Sequence, residues 1–171
     1  YPHQKSGIKL IVANVVRKST GKVPYGWKSY TIKTVKAGKK KAKVGFIGIL
    51  TTEMPTLTTK KNYSAFKYLD EAKTVAKYEK VLRKKGVKAI VVLAHKGVET
   101  AADSKGKLNT SGDSMKILKK LNKIDPKNTV DLMIAGHFHQ YANAKVGKTR
   151  LVQALKYGQA YTDSIGYISP K

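Results

Sequence analysis

His95 directly follows the apolar run Ala89-Ile-Val-Val-Leu-Ala94, and His137 directly follows Val130-Asp-Leu-Met-Ile-Ala-Gly136, so each is expected at the carboxyl end of a buried strand. In an open parallel sheet that is the edge where ligands bind. If the two strands are neighbours, both imidazoles project into one crevice, and His139, two residues past His137, reaches the same place. A neutral imidazole is the commonest metal ligand, one ring nitrogen giving its lone pair while the other is held by an acceptor. Taken alone, a strand-end histidine is more often structural, and spacing does not decide between the two readings. Lys96 and Lys156 lie beside the proposed crevice and could attract phosphate as point charges, against an ordinary surface-lysine reading. Tyr141 and Tyr157 could line it. Asn14 is read first as a strand-end residue capping backbone groups and only second as a substrate contact. Ser104, Ser111 and Ser114 have no Asp/His pairing at a recognisable spacing, and Asp103 and Asp113 are read as a turn residue and a helix cap.

The elements that must position these residues alternate. Ile8–Val16 reads as a buried strand, Arg17–Gly26 as a loop, Tyr30–Val35 and Lys43–Leu50 as strands joined by a turn at Ala37–Lys40. The two glycines of Lys43–Leu50 suggest close approach of something packed above. Thr51–Asn62 is a polar connection. A helix begins near Tyr68–Asp70, with Leu69, Ala72, Val75, Ala76 and Leu82 on one stripe, and stops at Gly86. Val87–Ala94 is the next strand, followed by a loop to about Gly112, a helix from Asp113 to before Asp125, and the strand Val130–Ala135. The last segments, Arg150–Ala154 and Ala160–Ile168, read as two antiparallel strands joined by a turn at Gly158. Helix followed by strand with short turns is the habit of parallel α/β units.

Composition bounds the function. The chain has 171 residues, enough for one domain, and 41% hydrophobic content fills an ordinary core. Its 35 Lys and Arg against 10 Asp and Glu give +25, which favours anionic partners: phosphorylated ligands, nucleic acid or an anionic envelope. The runs Lys39-Lys40-Lys41 and Arg83-Lys84-Lys85 lack interleaved aromatics, so specific nucleic-acid binding is not expected. With no cysteine, thiolate sites and Cys nucleophiles are excluded. No apolar run approaches the ~20 residues of a membrane span. The chain begins at Tyr1 without a leader, so any signal peptide is expected to be removed or to lie elsewhere.

The strings Val91-Val-Leu-Ala-His95-Lys-Gly97, Asp131-Leu-Met-Ile-Ala-Gly136-His137-Phe-His139 and Leu151-Val-Gln153-Ala-Leu-Lys-Tyr-Gly158 resemble, in order and spacing, the last three blocks of the calcineurin-like metallophosphoesterases. The narrower resemblance is to the 5′-nucleotidase and 2′,3′-cyclic-nucleotide phosphodiesterase group. Val12-Ala-Asn14-Val and Lys43-Val-Gly-Phe-Ile-Gly-Ile-Leu-Thr-Thr52 resemble segments of the same group, so the likeness spans nearly the whole chain. It implies an α/β fold with a mixed sheet flanked by helices, equivalent to the second half of a four-layer αββα sandwich. It implies that His95 and His137 bind one divalent ion and His139 another (Zn, Mn, Fe or Ca), the pair clamping the attacking and leaving oxygens of a nucleotide or other phosphate ester. It also implies an extracellular or cell-surface location.

The family's first three blocks, Asp-x-His, Gly-Asp and Gly-Asn-His-Glu/Asp, do not occur ahead of His95, where the family's order would place them. Residues 1–171 are therefore expected to be a single, partial catalytic domain with at most a partial metal site, weak or inactive alone and without a nominated catalytic residue. The missing amino-terminal half or a homodimer mate would cover the exposed sheet. The alternative from another class is a basic cell-surface adhesion protein that binds anionic wall polymer.

Overall fold

Eight residue pairs of the hairpin Tyr30–Ala37 (β2) and Lys40–Leu50 (β3) zip the chain into one edge of a six-stranded sheet, and the computed structural model describes residues 7–169 around it. Before the hairpin stands the short strand Val15–Arg17 (β1). After it come two single-turn helices, Met54–Leu57 (α1) and Lys60–Tyr63 (α2), and the strand Phe66–Tyr68 (β4), which pairs antiparallel with β1. Two longer helices follow the helical spacing of their apolar residues: Glu71–Lys84 (α3) and Asp113–Ile124 (α4). The remaining strands are Ala89–His95 (β5), the small hairpin Glu99–Ala102 (β6) with Leu108–Ser111 (β7), Leu132–Ala135 (β8), Ala142–Val146 (β9) and Thr149–Gln153 (β10).

The main sheet runs β2-β3-β5-β8-β10-β9, parallel from β3 through β10 and antiparallel at both edges. It is the α/β mixed sheet that the sequence implies. Period-two alternation sorts its side chains. Ile47, Ile49, Ile90, Val92, Ala94, Met133 and Leu151 are buried in one core with Val75, Leu82, Leu118 and Leu121 of α3 and α4. The two helices start and stop for local reasons. The Asp70 carboxylate accepts from Lys73 N (2.9 Å) at the start of α3, and Gly86, with φ of +73°, lets the chain leave it. In β3 both glycines are closely covered: a Cβ on Gly45 would meet Leu82 Cδ1 at 2.8 Å, and one on Gly48 would meet Ile11 O at 2.3 Å.

Among the described residues, no second layer covers the opposite face of the sheet. Val91 and Leu132 are half-buried there, and Leu93 and Ile134 are 36% and 38% exposed. Residues 163–169 run over part of this face and leave a groove of about 1010 Å³, lined by Val35, Val44, Val91, Leu132 and Val152.

Four expectations are corrected. Ile8–Val16 is not one strand: only Val15–Arg17 pairs regularly, because Ile11 bridges Lys28 while Asn14 fixes the segment through its side chain. The N-cap of α4 is Gly112, and Asp113 is its first helical residue. Ala160–Ile168 forms no strand. The partner of β10 is instead β9, through a turn at Gly147 whose φ of +61° suits a tight reversal. The segment after His95 contains the β6–β7 hairpin, whose turn Asp103 holds by accepting from Lys105 N (2.9 Å) and Lys107 N (3.0 Å). Tyr1 lies outside the described residues.

Candidate functional site

β5 and β8 are adjacent and parallel, with Val91 opposite Leu132 and Ala94 opposite Ala135, so the chain emerging from each delivers a histidine to the same edge. His95 Nε2 and His137 Nδ1 stand 3.2 Å apart, and their rings meet edge-on with centroids 4.9 Å apart. Burial, then the neighbouring His137 and His139, hold the His95 imidazole below its ordinary pKa, which keeps a lone pair available near neutral pH. His139 is set differently. Its ring turns toward Tyr157, with centroids 5.6 Å apart, and Lys156 Nζ lies 5.4 Å from that tyrosine's centroid. Among the described residues, no third His, Cys, Asp or Glu side chain joins His95 and His137 in a metal-sized cluster.

Backbone strain marks the second histidine block. His137 and His139 have φ of 107° and 57°, a region that residues other than glycine seldom occupy. Packing over-determines the conformation. The Phe138 ring lies on Gly97, where a Cβ would come within 2.2 Å of the ring, so only glycine leaves room two residues after His95. Gln153 then ties the two blocks together. Buried at the end of β10, it donates to Val98 O (2.9 Å) and Gln140 O (2.7 Å) and accepts from Val98 N (3.2 Å). Ser114 reinforces the first block, donating its hydroxyl to Lys96 O (2.7 Å) and its N–H to Gly97 O (3.1 Å).

The positioning role of Gln153 was missed in the sequence. Its only signal there was a place in the third resemblance block, since a strand-end Gln carries no chemistry of its own. The ion triad around Lys96 was missed too. Lys96 is buried, and its ammonium pairs with Asp113 Oδ2 and Glu53 Oε2, each at 3.0 Å. Desolvation alone would lower the pKa of Lys96, but the hydrogen bonds to Asp113 and Glu53 outweigh it and hold the ammonium above its ordinary value. A phosphate attracted to Lys96 would have to displace two carboxylates. Asn14 is buried and fully engaged: its amide donates to Leu50 O (2.7 Å) and Leu69 O (3.3 Å), and its oxygen accepts from Leu50 N (2.9 Å). Tyr141 is exposed.

A metal tests the geometry directly. Two imidazole nitrogens bound to one tetrahedral ion at 2.0–2.1 Å lie about 3.3 Å apart. The 3.2 Å between His95 Nε2 and His137 Nδ1 fits that separation. The residues present therefore fit part of one ion's coordination. Glu53 and Asp113 are committed to Lys96.

These features define an α/β domain with the fold of calcineurin-like phosphoesterases and 5′-nucleotidases. The calcineurin-like phosphoesterase YfkN from Bacillus subtilis superposes with a TM-score of 0.63 at 22% identity, over 86% of this chain and 46% of that one. A 5′-nucleotidase precursor from Thermus thermophilus superposes at 0.59 and 21%, over 91% of this chain and 30% of that one. In sequence, the chain is similar to Cell wall protein Lmo0130 of Listeria monocytogenes, 44% identical over 168 residues, covering 97% of this chain and 21% of the relative. It is also similar to Endonuclease YhcR of Bacillus subtilis, 34% identical over 151 residues, covering 88% of this chain and 11% of the relative. The chain thus spans about a fifth or less of these relatives. No family model matches.

Proposed function

We propose that residues 1–171 are a single, partial catalytic domain of a metal-dependent phosphoesterase of the 5′-nucleotidase type, acting on a nucleotide or another phosphate ester at or outside the cell surface. The observation that carries the reading is the 3.2 Å approach of His95 Nε2 to His137 Nδ1 at the carboxyl edge of two parallel strands. His95 and His137 would hold one divalent ion, and His139, after rotation away from Tyr157, a second. Such ions polarise a phosphoryl oxygen and stabilise charge on the leaving oxygen. The protein's own share is to hold the two imidazoles convergent, which Gln153, Gly97 and Ser114 do through the backbone they hold. The sequence relatives' names, a cell wall protein and an endonuclease, support a surface location and a phosphoester substrate.

The Asp-x-His, Gly-Asp and Gly-Asn-His blocks do not occur ahead of His95 in these 171 residues. The chain by itself is therefore expected to bind a transition metal and to hydrolyse nucleotides weakly or not at all. Calorimetric titration with Zn²⁺ or Mn²⁺ checks the first point: His95→Ala and His137→Ala should each abolish the tightest binding event, and unchanged affinity in both variants would sink the metal assignment. Robust nucleotide hydrolysis by the purified chain would refute the partial-site reading.

One observation favours a second reading. The net charge of +25, with a cell wall protein among the relatives, suits a surface module that adheres to anionic polymer. That activity would be salt-sensitive and indifferent to His→Ala changes.

A further inference from the structure

The positive charge is not evenly spread. Residues 1–52 contain twelve Lys and Arg and no Asp or Glu, so all ten acids of the chain lie from Glu53 onward. Six of the twelve fall between Lys33 and Lys43, on the ribbon that β2 and β3 form beyond the start of β5 at Val44. Lys33, Lys36, Lys39, Lys40, Lys41 and Lys43 are all exposed. Among the described residues the ion pairs use other basic groups: Lys80, Arg83, Lys96, Lys116 and Lys120.

The pairing register sharpens the point. Lys36 stands directly opposite Lys41, and Lys43 lies on the same face one pleat further along. Cross-strand Cβ atoms in such a pair are about 4.5–5.5 Å apart, and like charges there destabilise the ribbon. The end of α3 adjoins the ribbon: Lys43 Nζ donates to Lys85 O (2.9 Å), and Lys84 and Lys85 are both exposed there. A single lysine suffices to guard an edge strand against pairing. Six on one ribbon, none of them in an ion pair among the described residues, repel one another, and an anion with repeated charges laid along them would relieve that repulsion.

We propose that the β2–β3 ribbon, with Lys84 and Lys85 at the end of α3, is the binding surface for a flexible polymer with a phosphate backbone. The proposal rests on the adhesion reading above and localises it. Successive phosphates lie between Lys36 and Lys41 and then between Lys43 and Lys85. Nucleic acid fits less well, because residues 33–43 contain no aromatic on which a base could stack.

The test measures binding of the 171-residue chain to inorganic polyphosphate, to a glycerol-phosphate polymer and to an oligothymidylate of matched charge, across a salt series. Compared with it are the triple variant Lys36→Gln, Lys41→Gln, Lys43→Gln and a control triple of equal charge, Lys119→Gln, Lys123→Gln, Lys127→Gln. The ribbon triple should weaken binding to both phosphate polymers at least tenfold and flatten the salt slope by roughly one unit per phosphate-contacting lysine removed. The control should lose less than threefold. Equal losses in both triples would show diffuse charge and overturn the localisation, and tenfold preference for the oligothymidylate would overturn the choice of partner. Absence of any salt-sensitive binding by the unaltered chain would defeat the adhesion reading itself. Thermal unfolding separates binding loss from misfolding, because the ribbon variant loses the Lys36–Lys41 repulsion together with the exposed Lys43 bond to Lys85 O and should unfold close to the parent's midpoint.

Discussion

Gln153 closes three backbone groups with one buried amide, two carbonyls and an N–H drawn from the two segments that carry the histidines. A buried group stripped of its partner costs roughly 1–3 kcal/mol. Gln153→Ala should therefore lower stability by about 3 kcal/mol by denaturant titration. It should also separate the His95 and His137 rings, seen as loss of their mutual contacts by NMR. Retention of those contacts would mean that Gln153 is merely a core residue. The triad at Lys96 makes a second prediction. The hydrogen bonds from Lys96, then Lys116, hold Asp113 below its ordinary pKa, and those from Lys96, then Thr51, do the same for Glu53. A depressed carboxylate contributes stability above its unfolded value, and that contribution fades as pH falls from about 4 through the folded value. Lys96, raised, contributes below its ordinary value and loses that contribution only as pH rises through the higher one. The triad's share of the urea midpoint should hence be flat through neutrality and fall on the acid side, below the range where the depressed His95 adds its own slope, and Asp113→Asn should shallow that acid limb. An acid limb identical to the parent's would remove the triad from the account.

At the scale of elements, the site is made by two turns pressed together. The turn after β5 brings Gly97 under the Phe138 ring that the turn after β8 supplies, and a Cβ at residue 97 would lie within 2.6 Å of three ring atoms. Gly97→Ala should force the His137–His139 segment away from His95 and weaken Zn²⁺ binding at least tenfold, while costing about 1–3 kcal/mol of stability as an overpacked contact. Calorimetry and thermal unfolding read the two effects separately. If alanine is accepted with affinity unchanged, the contact does not set the distance between the histidines.

At the scale of the molecule, one face of the sheet carries α3 and α4, while the other is apolar and only partly crossed by residues 163–169. An exposed apolar face of this kind invites association. The chain should self-associate as its concentration rises, and Leu93→Lys with Ile134→Lys should keep it monomeric in sedimentation, at little cost in stability because both side chains are already more than a third exposed. A parent chain that stays monomeric and does not bind a hydrophobic dye would show that residues 163–169 suffice as cover.

The sequence determined the alternation of strands and helices, because Val87–Ala94, Val130–Ala135 and the stripe of α3 carry their periods in local composition. It also put His95 and His137 at strand ends, since each directly follows a buried apolar run, while the adjacency of the two strands was decided by the sheet. Tertiary structure decided what local pattern does not encode. β9 rather than residues 160–168 pairs with β10, because registry depends on which strand edge is free. Lys96 faces inward to two acids far away in sequence, and Gln153 reaches across to backbone groups that no spacing announces. The positive φ of His137 and His139 is likewise set by Phe138 packing on Gly97, a contact between segments 41 residues apart whose geometry exists only after the sheet has formed.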